Sequence, residues 1–174
     1  MNETLKNLTE RRSIRTFKKE QISENELSLI LKAGEFAPSG MNRQSSVMVV
    51  VQDKDTVDLL RRLNAAAMPK GFPPDPFYGA PTVIVVLADS RIHTCIEDGS
   101  LVMGNLMNAA HSLGVASCWI HRAKETFETE EGKALLEKWG LDENYIGVGN
   151  CILGYADGEH PEARERKEGR IIRA

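Results

Sequence analysis

A chain of 174 residues with 41% hydrophobic and 27% charged side chains reads as one globular domain over residues 1–174. That composition excludes a disordered tail, a fibrous repeat and a disulfide-stapled miniprotein. The formal charge of −3 conceals two basic segments: residues 11–19 hold five basic side chains and no acid, and residues 164–174 hold five basic and two acidic.

The rest of the chain is therefore acidic. Such a body is poorly suited to nucleic acid, which needs a broad cationic face. It suits a small anion such as a phosphate group, provided the fold brings the two segments together; the alternative is that both are simply solvated ends. Arg11, Arg12, Ser13 and Arg15 are the better candidates, because a hydroxyl and alternate cations can converge on one ligand.

In chain order, residues 3–11 read as a short helix ending in the arginine cluster. Ser23 followed by Glu26 is a capping box opening a helix to about Glu35, with Leu27, Ile30 and Leu31 on one face. Pro38, Ser39 and Gly40 end it and begin a loop. Ser46–Val51 (SVMVVV) reads as a strand buried on both faces, followed by a helix over 53–66 from an Asp53 cap. The proline-rich stretch Met68–Pro81 must be irregular, and long loops in compact domains are usually lids or interface elements. Thr82–Leu87 is a second buried strand.

Thr94–Leu113 reads as one long helix, so apolar from Gly99 onward that burial nearly all round is expected. Its small residues Gly99, Ser100, Gly104, Ala109 and Ala110 permit close backbone approach. One small domain has little material to cover every face, which implies packing against a second copy of the chain. The alternative is a central helix covered wholly by its own subunit. Val115–Ile120 is a third strand, a helix lies near Glu130–Trp139, and Tyr145–Gly154 is the last strand. Gly147 and Gly149 suggest a bulge or close backbone approach there. Alternating helices and strands give three layers with helices on both sides of a sheet, and alternation alone favours parallel strands.

Neither a GxxxxGK[ST] loop nor a GxGxxG turn after a strand is present, which sets aside P-loop and dinucleotide-fold readings. His93, His111 and His121 with Cys95, Cys118 and Cys151 lack CxxC or HExxH spacing, so no metal is expected. Cys118, in an apolar strand beside Trp119, reads as a core residue rather than as a nucleophile paired with His121. The near-unbroken apolar stretch Ala80–Ala88 is about half a membrane span, and the N-terminus has no apolar signal core. With three scattered cysteines, a soluble cytoplasmic protein without membrane partners is expected.

Four segments stand out together: Arg11–Phe17 (RRSIRTF), Ala37–Gln44 (APSGMNRQ), Leu106–Trp119 (LMNAAHSLGVASCW) and Arg164–Lys167 (RERK). Through them the chain resembles the FMN-dependent nitroreductase family. The resemblance implies an α+β fold, a three-layer α-β-α sandwich with a mostly antiparallel central sheet, in place of the parallel one. It also implies an obligate homodimer with FMN in clefts at the interface.

Carried over to this chain, the family pattern puts Arg11, Ser13, Arg164 and Arg166 around the FMN phosphate, with Arg12 supporting the phosphate or ribityl chain. Arg15 would lie near the flavin N1 edge, where its permanent charge would stabilise the reduced ring. Pro38, Ser39 and Asn42 would come from the partner subunit, and Asn64 would hydrogen-bond the pyrimidine ring. The backbone at Ile120 and His121 would face the ring and offer an N–H to N5. Three features are this chain's own: a brief C-terminal arm, His121 where many members have a small or acidic residue, and the loop Pro69–Pro76, the expected cover of the substrate cleft.

The implied activity is that of an oxidoreductase. NADH or NADPH reduces the flavin, which then reduces a nitroaromatic, quinone or similar small acceptor in ping-pong turnover. No side-chain acid or base is demanded. The alternatives are a flavin-dependent dehydrogenase or dehalogenase of one metabolite, or a non-catalytic flavin-binding protein.

Overall fold

The computed structural model describes residues 1–174. Its elements are α1 (Glu3–Glu10), α2 (Glu24–Glu35), β1 (Ser46–Val51), α3 (Lys54–Ala66), β2 (Thr82–Asp89), α4 (Cys95–Ser112), β3 (Ala116–Ile120), α5 (Ala123–Phe127), α6 (Glu130–Lys138) and β4 (Tyr145–Gly154). The helix starts follow the sequence. Ser23 accepts from the Glu26 N–H while Glu26 returns a bond to the Ser23 N–H, and Asp53 accepts from Thr56. These side chains satisfy backbone donors that a first turn leaves without partners.

The four strands form one sheet in the order β1-β2-β4-β3, and every neighbouring pair is antiparallel. The parallel sheet that alternation favours is thereby corrected. Helices covering both faces produce the same apolar strands whichever way the strands run, so hydropathy carries no signal for direction.

The pleat of β2 sorts the core into two layers. Ile84, Val86 and Ala88 join α2 and α4 on one face, while Val83, Val85 and Leu87 join α3, α5 and α6 on the other. Opposite Gly147–Gly149 the register slips between Val86 and Leu87. A side chain at Gly147 would stand 2.3 Å from the backbone of Ala123, and one at Gly149 would stand 2.4 Å from the Trp119 indole nitrogen. Glycine here lets α5 and Trp119 lie directly on the sheet.

One further expectation needs correction. Within β1 only Val51 is fully buried, because β1 is an edge strand whose α4-facing side borders a cavity. The long helix is not covered all round: Val102, Met103, Leu106 and Ala110 are buried, whereas Ile96 and Leu101 are exposed. The chain's own elements thus leave part of this helix uncovered. The short helix α5 is absent from the sequence reading, since five residues are too few to show a period. The loop before β2 is pinned in its second half, where Phe77 is buried and the Asp75 carboxylate accepts the Phe77 and Gly79 N–H groups at 2.9 and 2.8 Å.

Candidate functional site

At the C-terminal end of α4, α1 docks through the Asn7 amide, which donates to the Asn108 carbonyl at 2.9 Å. Arg11 caps α1, its N–H on the Asn7 carbonyl. Arg12 turns its Nη1 back onto the Thr9 and Arg11 carbonyls at 2.8 and 2.7 Å. Arg11 Nη1 and Arg12 Nε are buried, yet neither has a partner. Unpaired buried donors are uncommon and ask for an acceptor. Ser13 is half-buried beside them.

The next residues run along the ends of β3 and β4: the Ile14 N–H donates to the Ser117 carbonyl at 3.0 Å, and Phe17 bridges Ala156. This path leaves Arg15 exposed, its guanidinium carbon 5.9 Å from the centroid of the Tyr78 ring. The C-terminal segment returns to the same end of α4, where His160 lies 5.7 Å, ring to ring, from His111. Arg12, His111 and residues 160–163 line a common hollow. Arg164 and Arg166 follow in sequence, exposed and without hydrogen-bond or ion-pair partners. Residues 160–163, which lead into the second basic segment, thus reach the end of α4 that holds Arg12, but Arg164 and Arg166 are not joined to Arg11–Ser13.

The opposite end of α4 holds the loop 38–44. Asp98, only 3% exposed, accepts the Gly40 N–H at 2.8 Å, the Ser45 hydroxyl at 2.9 Å and the Thr94 hydroxyl at 3.2 Å. Burial pushes this carboxyl up, but those bonds and the nearby His93 outweigh it and hold it below its ordinary value. Met41, Asn42 and Gln44 adopt left-handed backbone at φ 53°, 53° and 49°, a conformation side chains normally avoid. Ser39 steadies the loop by accepting the Gln44 N–H at 3.0 Å. Pro38 and Asn42 stay exposed, and the loop walls a cavity of about 500 Å³ with α2 and β1. Asp98 and Asn108 are about 15 Å apart along the helix, so within one chain the two candidate clusters sit at opposite ends of α4.

The third group lies where β3 ends. Asn64 is fully buried on α3, its Nδ2 donating to the His121 carbonyl at 2.8 Å and its Oδ1 unpaired. Ile120 is buried and His121 exposed, while Arg122 has left-handed backbone at φ 76° and pairs with Glu125 at 2.6 Å. The three histidines and three cysteines named earlier form no metal-binding cluster. Burial pushes the Cys151 thiol up to about 12.

A profile of the Nitroreductase family matches residues 8–155. The chain belongs to the Nitroreductase family. A relative from Archaeoglobus fulgidus, whose name joins NADH dehydrogenase and NAD(P)H nitroreductase, is 33% identical over 165 residues, covering 91% of this chain and 88% of that protein. FMN reductase [NAD(P)H] of Bacillus subtilis is 25% identical over 193 residues, covering 98% of this chain and 71% of that protein. Among solved structures, a nitroreductase with bound FMN from Bacteroides fragilis superposes with a TM-score of 0.91 at 30% identity, covering 100% of both chains. One from Desulfitobacterium hafniense, also with bound FMN, reaches 0.89 at 29% identity, covering 100% of this chain and 99% of that one.

In this nitroreductase-family chain, sequence reading overlooked two residues of these clusters. Asp98 carries a signal, an acid on the face of α4 that continues through Val102 and Leu106. Asn150, buried on β4 opposite Ile120 with both amide atoms unpaired, carries another, an amide between Gly149 and Cys151.

Proposed function

We propose that the protein is an FMN-dependent oxidoreductase that takes its reducing equivalents from NADH or NADPH and passes them to a nitroaromatic, quinone or similar small acceptor. Family membership and the FMN-bound neighbours support the cofactor, and the names of its relatives support the nicotinamide donor. The observation that carries the fit is the unpaired state of Arg11 Nη1 and Arg12 Nε, buried donors at the end of an otherwise satisfied segment. A phosphate dianion is the acceptor such guanidinium groups match best.

When bound, the flavin supplies the hydride chemistry. The chain's own residues would bind and orient it. Arg11, Arg12 and Ser13 would hold the phosphate, with Arg164 and Arg166 closing over it from the exposed tail. Arg15, poised at the Tyr78 ring, would place a permanent cation near the pyrimidine edge and favour the reduced state. Asn64, with its Nδ2 committed to His121, would act through the turn at Ile120 and His121 as much as on the ring itself.

A second copy of the chain would complete the cleft. Leu5 and Leu8 are exposed on α1, which buries none of its residues, and Leu101, Phe36 and Met41 are exposed near α4. Apolar surface of this kind marks an interface. A two-fold arrangement would bring one protomer's Pro38, Ser39 and Asn42 to the arginine end of its partner. No helix is long and apolar enough to cross a membrane, and three free, buried cysteines suit a cytoplasmic location.

The test is reconstitution. Protein incubated with excess FMN and desalted is expected to stay yellow and to oxidise NADH or NADPH in the presence of menadione or nitrofurazone, with parallel double-reciprocal plots. Protein that retains no flavin and reduces neither acceptor would overturn the reading.

A further inference from the structure

The turn that leads into β2 holds one residue in a conformation its side chain disfavours. Tyr78 has left-handed backbone at φ 53°, a costly state for a bulky residue that persists only where its surroundings impose it. Those surroundings are fixed. The Asp75 carboxylate accepts the Phe77 N–H at 2.9 Å and the Gly79 N–H at 2.8 Å, one on each side of Tyr78, and Phe77 is buried. The Tyr78 N–H closes onto the Asp75 carbonyl at 3.3 Å, and the Ala80 N–H onto the Phe77 carbonyl at 3.0 Å. Glycine would take φ 53° freely, as Gly79 takes φ 75°, yet an aromatic ring occupies the place.

The Tyr78 ring is half-buried against the core under α3. Over it stands the Arg15 guanidinium carbon, 5.9 Å from the ring centroid, within the ~6 Å reach of a cation–π contact. Arg15 is exposed, its side chain makes no hydrogen bond or ion pair, and residues 11–19 contain no acid. An arginine on a flexible stem with no anion to hold it has many rotamers open to it. The ring of Tyr78 is what gives this one a direction.

We propose that Tyr78 is a positioning residue: the turn accepts a strained backbone so that the ring holds the Arg15 guanidinium in place, and through Arg15 sets the potential of the bound flavin. A cation already in position stabilises added negative charge without having to be reorganised first. The ring face does the holding, so phenylalanine can replace tyrosine. The effect on potential rests on the placement of Arg15 beside the flavin given above, while the contact between Arg15 and Tyr78 does not.

The experiment compares wild type, Tyr78→Phe, Tyr78→Gly and Arg15→Gln, first without FMN. The Arg15 side-chain protons are expected upfield in wild type and Tyr78→Phe, shifted by the ring current, and at the position of a free arginine in Tyr78→Gly. Glycine accepts the turn, so the fold is expected to survive; if it does not, Tyr78→Asn, which also tolerates left-handed backbone, takes its place. With FMN bound, Arg15→Gln is expected to weaken the preference for reduced over oxidised flavin about tenfold, ~30 mV for a two-electron couple. Tyr78→Gly is expected to weaken it about threefold, ~14 mV, and Tyr78→Phe to keep the wild-type potential. Arg15 shifts that are the same in wild type and Tyr78→Gly overturn the contact. A wild-type potential in Tyr78→Gly, with a lowered one in Arg15→Gln, overturns the positioning role alone. A wild-type potential in Arg15→Gln instead sinks the placement of Arg15 beside the flavin, and the positioning role with it.

Discussion

Asp98 and Gly40, 58 residues apart in sequence, are tied by a hydrogen bond of 2.8 Å from the Gly40 N–H to a carboxylate that is almost wholly buried. The bond holds the loop 38–44, with its three left-handed side-chain-bearing residues, against the start of α4. Asp98→Ala is expected to cost about 1–3 kcal/mol, the range for losing bonds to a buried charged group. The Asp98 carboxyl titrates below its ordinary value when folded. Its contribution is therefore present above the usual aspartate range, about 3.9, and disappears as pH falls through the folded value. Urea unfolding of both proteins at neutral and acid pH checks this, and the gap between them should narrow toward acid.

Arg11→Ala should separate binding from folding. The Arg11 Nη1 donor is buried without a partner, so the apo protein has little to lose and is expected to unfold within about 0.5 kcal/mol of wild type. FMN affinity is expected to fall about tenfold or more, the loss of a charge-assisted bond to phosphate. Thermal unfolding without FMN and flavin fluorescence titration measure the two effects.

The tail should loosen in mild acid. Burial, His160 and Arg11 all hold the His111 imidazole below its ordinary value, against the opposing pull of Glu10, with Arg12 adding to the cationic side. The folded state therefore takes up its proton later than the unfolded one. The packing of His160 on His111 is complete above the usual histidine range, about 6.5, and is lost as pH falls toward the folded value. Limited proteolysis after residue 160 should quicken in wild type between about pH 7 and 5.5, with a smaller change in His111→Gln.

Gly147→Ala tests the seat of α5. The added carbon would stand 2.3 Å from the Ala123 backbone, which no rotamer change relieves. Overpacking of this kind costs about 1–3 kcal/mol. Gly104→Ala on α4, where nothing lies within 4 Å, is the control and should be neutral or slightly stabilising in the unpartnered chain. Denaturant midpoints of the two variants provide the comparison.

Much of this was legible in the chain itself. The near-unbroken apolar run over Thr82–Leu87 marked a buried strand, Ser23 with Glu26 marked a helix start, and Gly147 marked a close approach, because each is a local matter of apolar run, cap or missing Cβ. The direction of β2 against β4 was not legible, since both arrangements bury the same residues. Nor was the edge position of β1, because Val47–Val50 are apolar whether or not a neighbour covers them. Among candidate site residues, the arginines announced themselves by charge density. The clamp at Asp98 and the amide of Asn64 did not, because their partners Gly40 and His121 lie 58 and 57 residues away in sequence.

The central claim is that each flavin site draws Arg11 and Arg12 from one protomer and the loop at Ser39 from the other. It is tested most directly by mixing two defective proteins, the double variant Arg11→Ala, Arg12→Ala and the loop variant Ser39→Trp, through joint unfolding and refolding. Each alone should fail to retain FMN. A mixed dimer should carry one site with both wild-type halves, so the co-refolded sample should recover bound flavin and NAD(P)H oxidation. A mixture that holds no more flavin than the two variants kept apart would contradict a shared site.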